Sequence, residues 1–146
     1  MDRDFLEFAR KITENGEYEK LKSYKHHINA TAYRHSLKVA YLCYLHMKKH
    51  NSIKKARSVI RGALLHDYFL YDCHSKDLNH RLHTIRHPRV ALRNARKHYP
   101  DLTPEEEDMI LHHMFPLTPV PPKTHAGWLV CLYDKIAAVS DLLDRK

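Results

Sequence analysis

The chemistry this chain can do gathers on one dipeptide, His66-Asp67, in the stretch Arg61-Gly62-Ala63-Leu64-Leu65-His66-Asp67-Tyr68-Phe69-Leu70. Upstream, Ile53, Ala56, Val59, Ile60, Ala63 and Leu64 recur at helical spacing, while Lys54, Lys55, Arg57, Ser58 and Arg61 take the other face. Extending the apolar stripe by one turn reaches His66 and Asp67, so an imidazole and a carboxylate point into the face the helix buries. A carboxylate kept ionised there needs a cation, a donor network or a proton. A basic side chain and a metal ion both answer that need, and a hydrogen-bonded structural His-Asp pair is the plain alternative.

The elements that must position this pair read as helices. Residues 2–13 carry Phe5, Leu6, Phe8, Ala9 and Ile12 between charges, and Asn15-Gly16 stops that helix. Tyr18, Leu21 and Tyr24 belong to a short second helix or an irregular segment. A long helix from Thr31 to His50 is apolar over much of its circumference and carries His35, Val39, Leu42 and His46 on one line. Asn51-Ser52 closes it and caps the next, which runs from Ile53 to Leu70. Residues 71–87 read as a loop with His74, His80, His83 and His87, and Pro88 as the first residue of the following helix. Thr103-Pro104-Glu105-Glu106 is a capping box opening a short helix that carries His112 and His113. Pro116, Pro119, Pro121 and Pro122 stiffen a loop over 116–124. The last helix, His125 to Arg145, places Val130, Asp134, Ala137 and Asp141 in line. No segment alternates like a strand. The expectation is an all-α, single-domain bundle of about six helices over residues 1–146, with a metal-binding core over about 30–141.

Composition narrows the function classes. With 43% hydrophobic and 29% charged residues the chain reads as globular, and no apolar run approaches bilayer length. The start, Met1-Asp2-Arg3-Asp4-Phe5, lacks the basic-then-apolar layout of a signal peptide. Cys43, Cys73 and Cys131 are odd in number and far apart, which fits a reducing cytoplasm. Gly16, Gly62 and Gly127 stand singly, so a Walker loop and a dinucleotide glycine fingerprint are both excluded. A net charge of +8 favours anionic partners. The basic residues are spread over most helices, with neither a basic run nor an RNP-like aromatic motif, and a phosphorylated small molecule would be attracted by the same field. Charge alone does not choose; a phosphorylated small molecule is the expected partner, and nucleic acid is not.

Of the 14 histidines, those on inward faces or at helix ends join two carboxylates in one set: His35, His66, Asp67, His87, His112, His113 and Asp134. Imidazole and carboxylate together suit transition metals, with Fe, Mn, Ni and Zn all compatible. Arg34-His35-Ser36, the pair His66-Asp67 and the distant Asp134-Lys135 resemble the HD-domain metal-dependent phosphohydrolases in order and spacing. His87-Pro88 and His112-His113, in order between them, resemble the binuclear branch that includes the HD-GYP phosphodiesterases. The resemblance implies two divalent ions, one on His35, His66, Asp67 and Asp134, the other on Asp67, His87, His112 and His113. Trinuclear relatives have a carboxylate where this chain has Thr31, and no Gly-Tyr-Pro signature is present.

The function so implied is hydrolysis of a phosphate mono- or diester, nucleotide-like in character, by a hydroxide bridging two metals opposite Asp67. Asp67, His66 and Lys135 are the expected catalytic residues, with Lys135 meeting a substrate phosphate. His83, Arg81 and Arg86 are the expected substrate contacts. The alternative is a non-catalytic metal- or ligand-binding regulatory module using the same pocket.

Overall fold

In the computed structural model, residues 1–27, 30–70 and 80–144 are described, without the side chains of residues 25–27, 80 and 81. Among the described residues seven α-helices form: α1 (Arg3–Thr13), α2 (Gly16–Glu19), α3 (Ala32–Lys49), α4 (Ala56–Leu65), α5 (His80–His98), α6 (Pro104–Leu111) and α7 (His125–Leu143). The fold class is all-α, as the periodicity predicts. None of these helices is long and apolar enough to cross a membrane.

Helix α3 is the centre, packed against α4 on one side and α7 on the other. It buries Val39, Ala40, Cys43 and Tyr44 completely, which is why its sequence is apolar over so much of its circumference. Helix α6 joins the two flanks by packing on both α4 and α7, and α5 packs on α6. Phe5, Ala9 and Ile12 seal α1 against α4. The helix starts follow their capping residues. Thr31 accepts from the Arg34 N–H, Thr103 and Glu106 close the capping box, and Thr124 accepts from the Gly127 N–H.

The structure departs from the periodicity in four places. A small antiparallel ribbon, β1 (Lys25–His27) with β2 (Ala30–Thr31), precedes α3 where no strand was expected. It is too short for a two-residue alternation to be legible. Ser52 does not cap α4; a 3-10 turn, Ile53–Lys55, intervenes, and Asn51 takes a positive φ of 54° to make the corner.

Helix α4 ends at Leu65, not Leu70. The buried Tyr18 hydroxyl donates to the Leu64 carbonyl at 2.8 Å, and the Tyr68 N–H turns to the Leu65 carbonyl at 3.1 Å, tightening the chain out of the α-helix. Helix α5 begins at His80, so Pro88 lies inside it. Residues 80–87 contain no glycine or proline, and the rings of His83 and His87 stack one turn apart, centroids 4.8 Å apart, which carries the helix up to the proline. The expected loop positions 71–79, His74 among them, lie outside the described residues.

Candidate metal centre

Helix ends build the site. His66 follows the last residue of α4 and His113 follows α6 by two, so each sits where carbonyls have run out of helical partners. Each ring uses that deficit. His66 Nδ1 donates to the Ala63 carbonyl, and His113 Nδ1 donates to the Ile110 carbonyl at 2.7 Å. His87 Nδ1 donates to the His83 carbonyl at 3.1 Å, and His35 Nδ1 to Asp141 Oδ2 at 2.9 Å. These acceptors cannot donate back, so the proton is on Nδ1 in all four rings. In the neutral form each Nε2 is then a bare lone pair.

All four Nε2 atoms point at Asp67, and those of His35 and His66 also at Asp134. Around Asp134 and one oxygen of Asp67, His35 Nε2 lies 2.8 Å from Asp134 Oδ1 and 3.8 Å from Asp67 Oδ2, and His66 Nε2 lies 3.3 and 3.2 Å from the same atoms. Around the other oxygen, His87 Nε2 and His113 Nε2 stand 3.2 and 3.4 Å from Asp67 Oδ1 and 3.0 Å from each other. Donor atoms bound to one ion at about 2.1 Å, at octahedral or tetrahedral angles, are about 3.0–3.4 Å apart. The His87 and His113 group has that size, the other spans 2.8–3.8 Å around it, and every member is buried. Asp67 gives one oxygen to each.

Lone pairs facing lone pairs at these distances repel unless positive charge lies between them. The ionisation behaviour says the same. Burial disfavours a charged His35, yet hydrogen bonds to Asp134 and Asp141 outweigh it and raise its pKa to about 9. Burial opposes charge on His66 as well, and Asp67 and Asp134 push its pKa well above the usual value. Asp134 is held well below the usual carboxylate range by His35 and His66 despite burial. His113, buried and lying beside His66, is pushed down. Without a cation the centre collects protons on His35 and His66. The donor set and its spacing fit divalent transition ions.

The structure brings together His35, His66, Asp67, His87, His113 and Asp134. It does not bring in His112, whose Nδ1 pairs with Asp108 Oδ1 at 2.7 Å, because neighbours at a helix end splay by about 100°. Nor does Lys135 reach the centre; its Nζ donates to the His113 and Cys131 carbonyls, both at 3.2 Å, so it braces the segment carrying a candidate ligand. His83 supplies the carbonyl that orients His87 and acts as a positioning residue. Arg86 is exposed on α5, and the side chain of Arg81 lies outside the described residues. Thr31 caps α3, its hydroxyl accepting from the Arg34 N–H.

Sequence reasoning missed one contributor. Asp141 orients His35, and its own carboxyl, disfavoured by burial but bonded by His35 and Lys38, is held at about 2. Its alignment with Asp134, two turns earlier on α7, was the available signal.

Fold and site together define a helical protein with two buried His/Asp groups, sharing Asp67, that could hold metal ions. Comparison with protein families, with curated proteins and with solved structures found no match to this chain.

Proposed function

We propose that the protein is a metal-dependent phosphohydrolase of the HD-domain type, acting on a phosphate mono- or diester of nucleotide-like character. The observation that supports this reading is the division of Asp67, with Oδ2 facing His35, His66 and Asp134 and Oδ1 facing His87 and His113. A buried carboxylate shared between two imidazole sets suits a pair of ions held side by side. Bound there, divalent ions would lower the pKa of a water toward neutrality and offset charge on a phosphoryl group. The chain's own part is to fix the ligands: backbone carbonyls and Asp141 lock each ring with Nε2 inward, and the apolar packing of α3, α4 and α7 keeps bulk water from the carboxylates.

The rival reading, a non-catalytic metal-binding module, draws on Lys135, whose ammonium is occupied by carbonyls. Elemental mass spectrometry of untagged protein, wild type beside Asp67→Ala, tests the centre. About two ions in the first and near none in the second are expected. One ion in the wild type, or ions retained by the variant, refutes the bridged pair. Turnover of phosphomonoesters and diesters by the loaded wild type then separates the enzyme from the module.

A further inference from the structure

Helix α5 carries Arg81, Arg86, Arg89, Arg93, Arg96 and Lys97, and neither Asp nor Glu from His80 to His98. Spaced by three and four residues, Arg86, Arg89, Arg93 and Arg96 do not read as a basic run, but the helix gathers them into a stripe. Arg96 is answered by Glu107 through bonds of 2.7 and 2.8 Å. Arg89 and Arg93 are exposed and form no ion pair among the described residues.

A groove runs beside these two arginines, between α5 and α6. One stretch, about 460 Å³, is lined by Arg89, Leu92, Arg93, Arg96 and Leu111. The next, about 260 Å³, shares Arg89 and Leu111 and adds an apolar shelf of Ile85, Pro88, Pro119 and Val120. His112 and Thr118 also line it, and the Thr118 hydroxyl has no hydrogen-bond partner among the described residues. The covalent chain ties this stretch to the metal centre: Pro88 follows His87, and His112 precedes His113.

We propose that the groove binds a single-stranded phosphodiester chain, an oligonucleotide, with successive phosphates on Arg89 and Arg93 and an unpaired base on the shelf. This rests on the phosphohydrolase reading and names its substrate class. Arginine suits phosphate because its planar fork matches two oxygens at once. Arg89 and Arg93 are one turn apart, about 6 Å along the helix, the scale on which phosphates follow one another in an extended strand. A shelf of apolar side chains can cover the face of a base only when that base is free of its partner, which favours a single strand over a duplex.

The test is equilibrium binding, which needs no turnover. Fluorescein-labelled hexathymidylate with phosphorothioate linkages is titrated against the full chain with its native metal content, at salt from about 50 to about 200 mM. Wild type is compared with R89Q/R93Q and with K49Q/K54Q, which removes the same charge from exposed positions on other elements. Each phosphate contact contributes about 0.7 to the steepness of log K against log salt for a single strand. R89Q/R93Q is expected to flatten the plot by about 1.4 and K49Q/K54Q to leave it as in wild type. Equal slopes for the two variants overturn the proposal, as does a wild type that fails to bind at the lowest salt. Displacement by ATP at the concentration of the hexanucleotide also overturns it, since it marks a site for clustered phosphates instead of a chain. Metal content, read on the same samples, separates the two readings. Binding through Arg89 and Arg93 without metal sinks the phosphohydrolase, whereas two ions with equal slopes sink the groove.

Discussion

Asp141→Asn isolates how the surroundings of one ligand set the affinity of the centre. Asparagine still offers an oxygen to the His35 ring N–H, so the substitution removes charge and leaves the geometry. Asp141 Oδ2 lies 2.9 Å from His35 Nδ1, which puts its charge about 7 Å from an ion on Nε2. At an effective permittivity of about 20, one negative charge at that distance attracts a divalent ion by about 5 kcal/mol. Lys38 Nζ, 2.8 Å from Asp141 Oδ1, stands about 10 Å from the ion and repels it by about 3 kcal/mol. The pair together therefore contributes about 1.5 kcal/mol, roughly tenfold in affinity.

Asp141→Asn strips the attraction and leaves the repulsion, so weakening between about tenfold and a thousandfold is expected. The lower figure applies if Lys38 swings to Asp144, 3.4 Å away. The double variant K38Q/D141N should sit near tenfold. Competition with a chelator, read by elemental analysis, resolves the two ions. The ion on His35, His66, Asp67 and Asp134 should weaken more than the one on Asp67, His87 and His113, which lies about 4 Å farther from Asp141 and feels its charge by about 3 instead of about 5 kcal/mol. Equal loss of both ions, or no loss of either, refutes the reasoning.

Two further outcomes follow from the fold. Gly127→Ala places a methyl group against Asp108 Oδ2 and 3.0 Å from Pro122 Cβ, where Asp108 also accepts from the Lys123 and Thr124 N–H groups. Destabilisation by about 1–3 kcal/mol is expected in urea unfolding, and an unchanged midpoint contradicts the packing. In metal-free protein the raised pKa of His35, about 9, stabilises the fold fully below the unfolded value of 6.5. That contribution is lost as pH rises through about 9, so metal-free protein should lose thermal stability across this window while loaded protein keeps it. Parallel pH profiles for the two forms count against a cation at the centre.

The sequence alone determined the fold class and the kind of residues at the centre. Periodicities of three and four mark which face of each helix is buried, and capping residues such as Thr103 and Thr124 mark where helices start, because both are local effects within one or two turns. Hence His35, His66, Asp67, His87, His113 and Asp134 were legible as inward or helix-end groups. What they do together is set by residues far apart in the chain. His35 and Asp134 meet only because α3 packs on α7, and α4 stops at Leu65 because Tyr18, 46 residues before Leu64, takes its carbonyl. That early stop lets consecutive His66 and Asp67 face one point. The choice of His113 over His112 depends likewise on Asp108, which holds the His112 ring away from the centre. The groove of Arg89 and Arg93 needs α6 beside α5 before it is a groove at all. Local pattern fixes direction from a helix axis; only packing between helices fixes distance, and metal ligation is decided by distance.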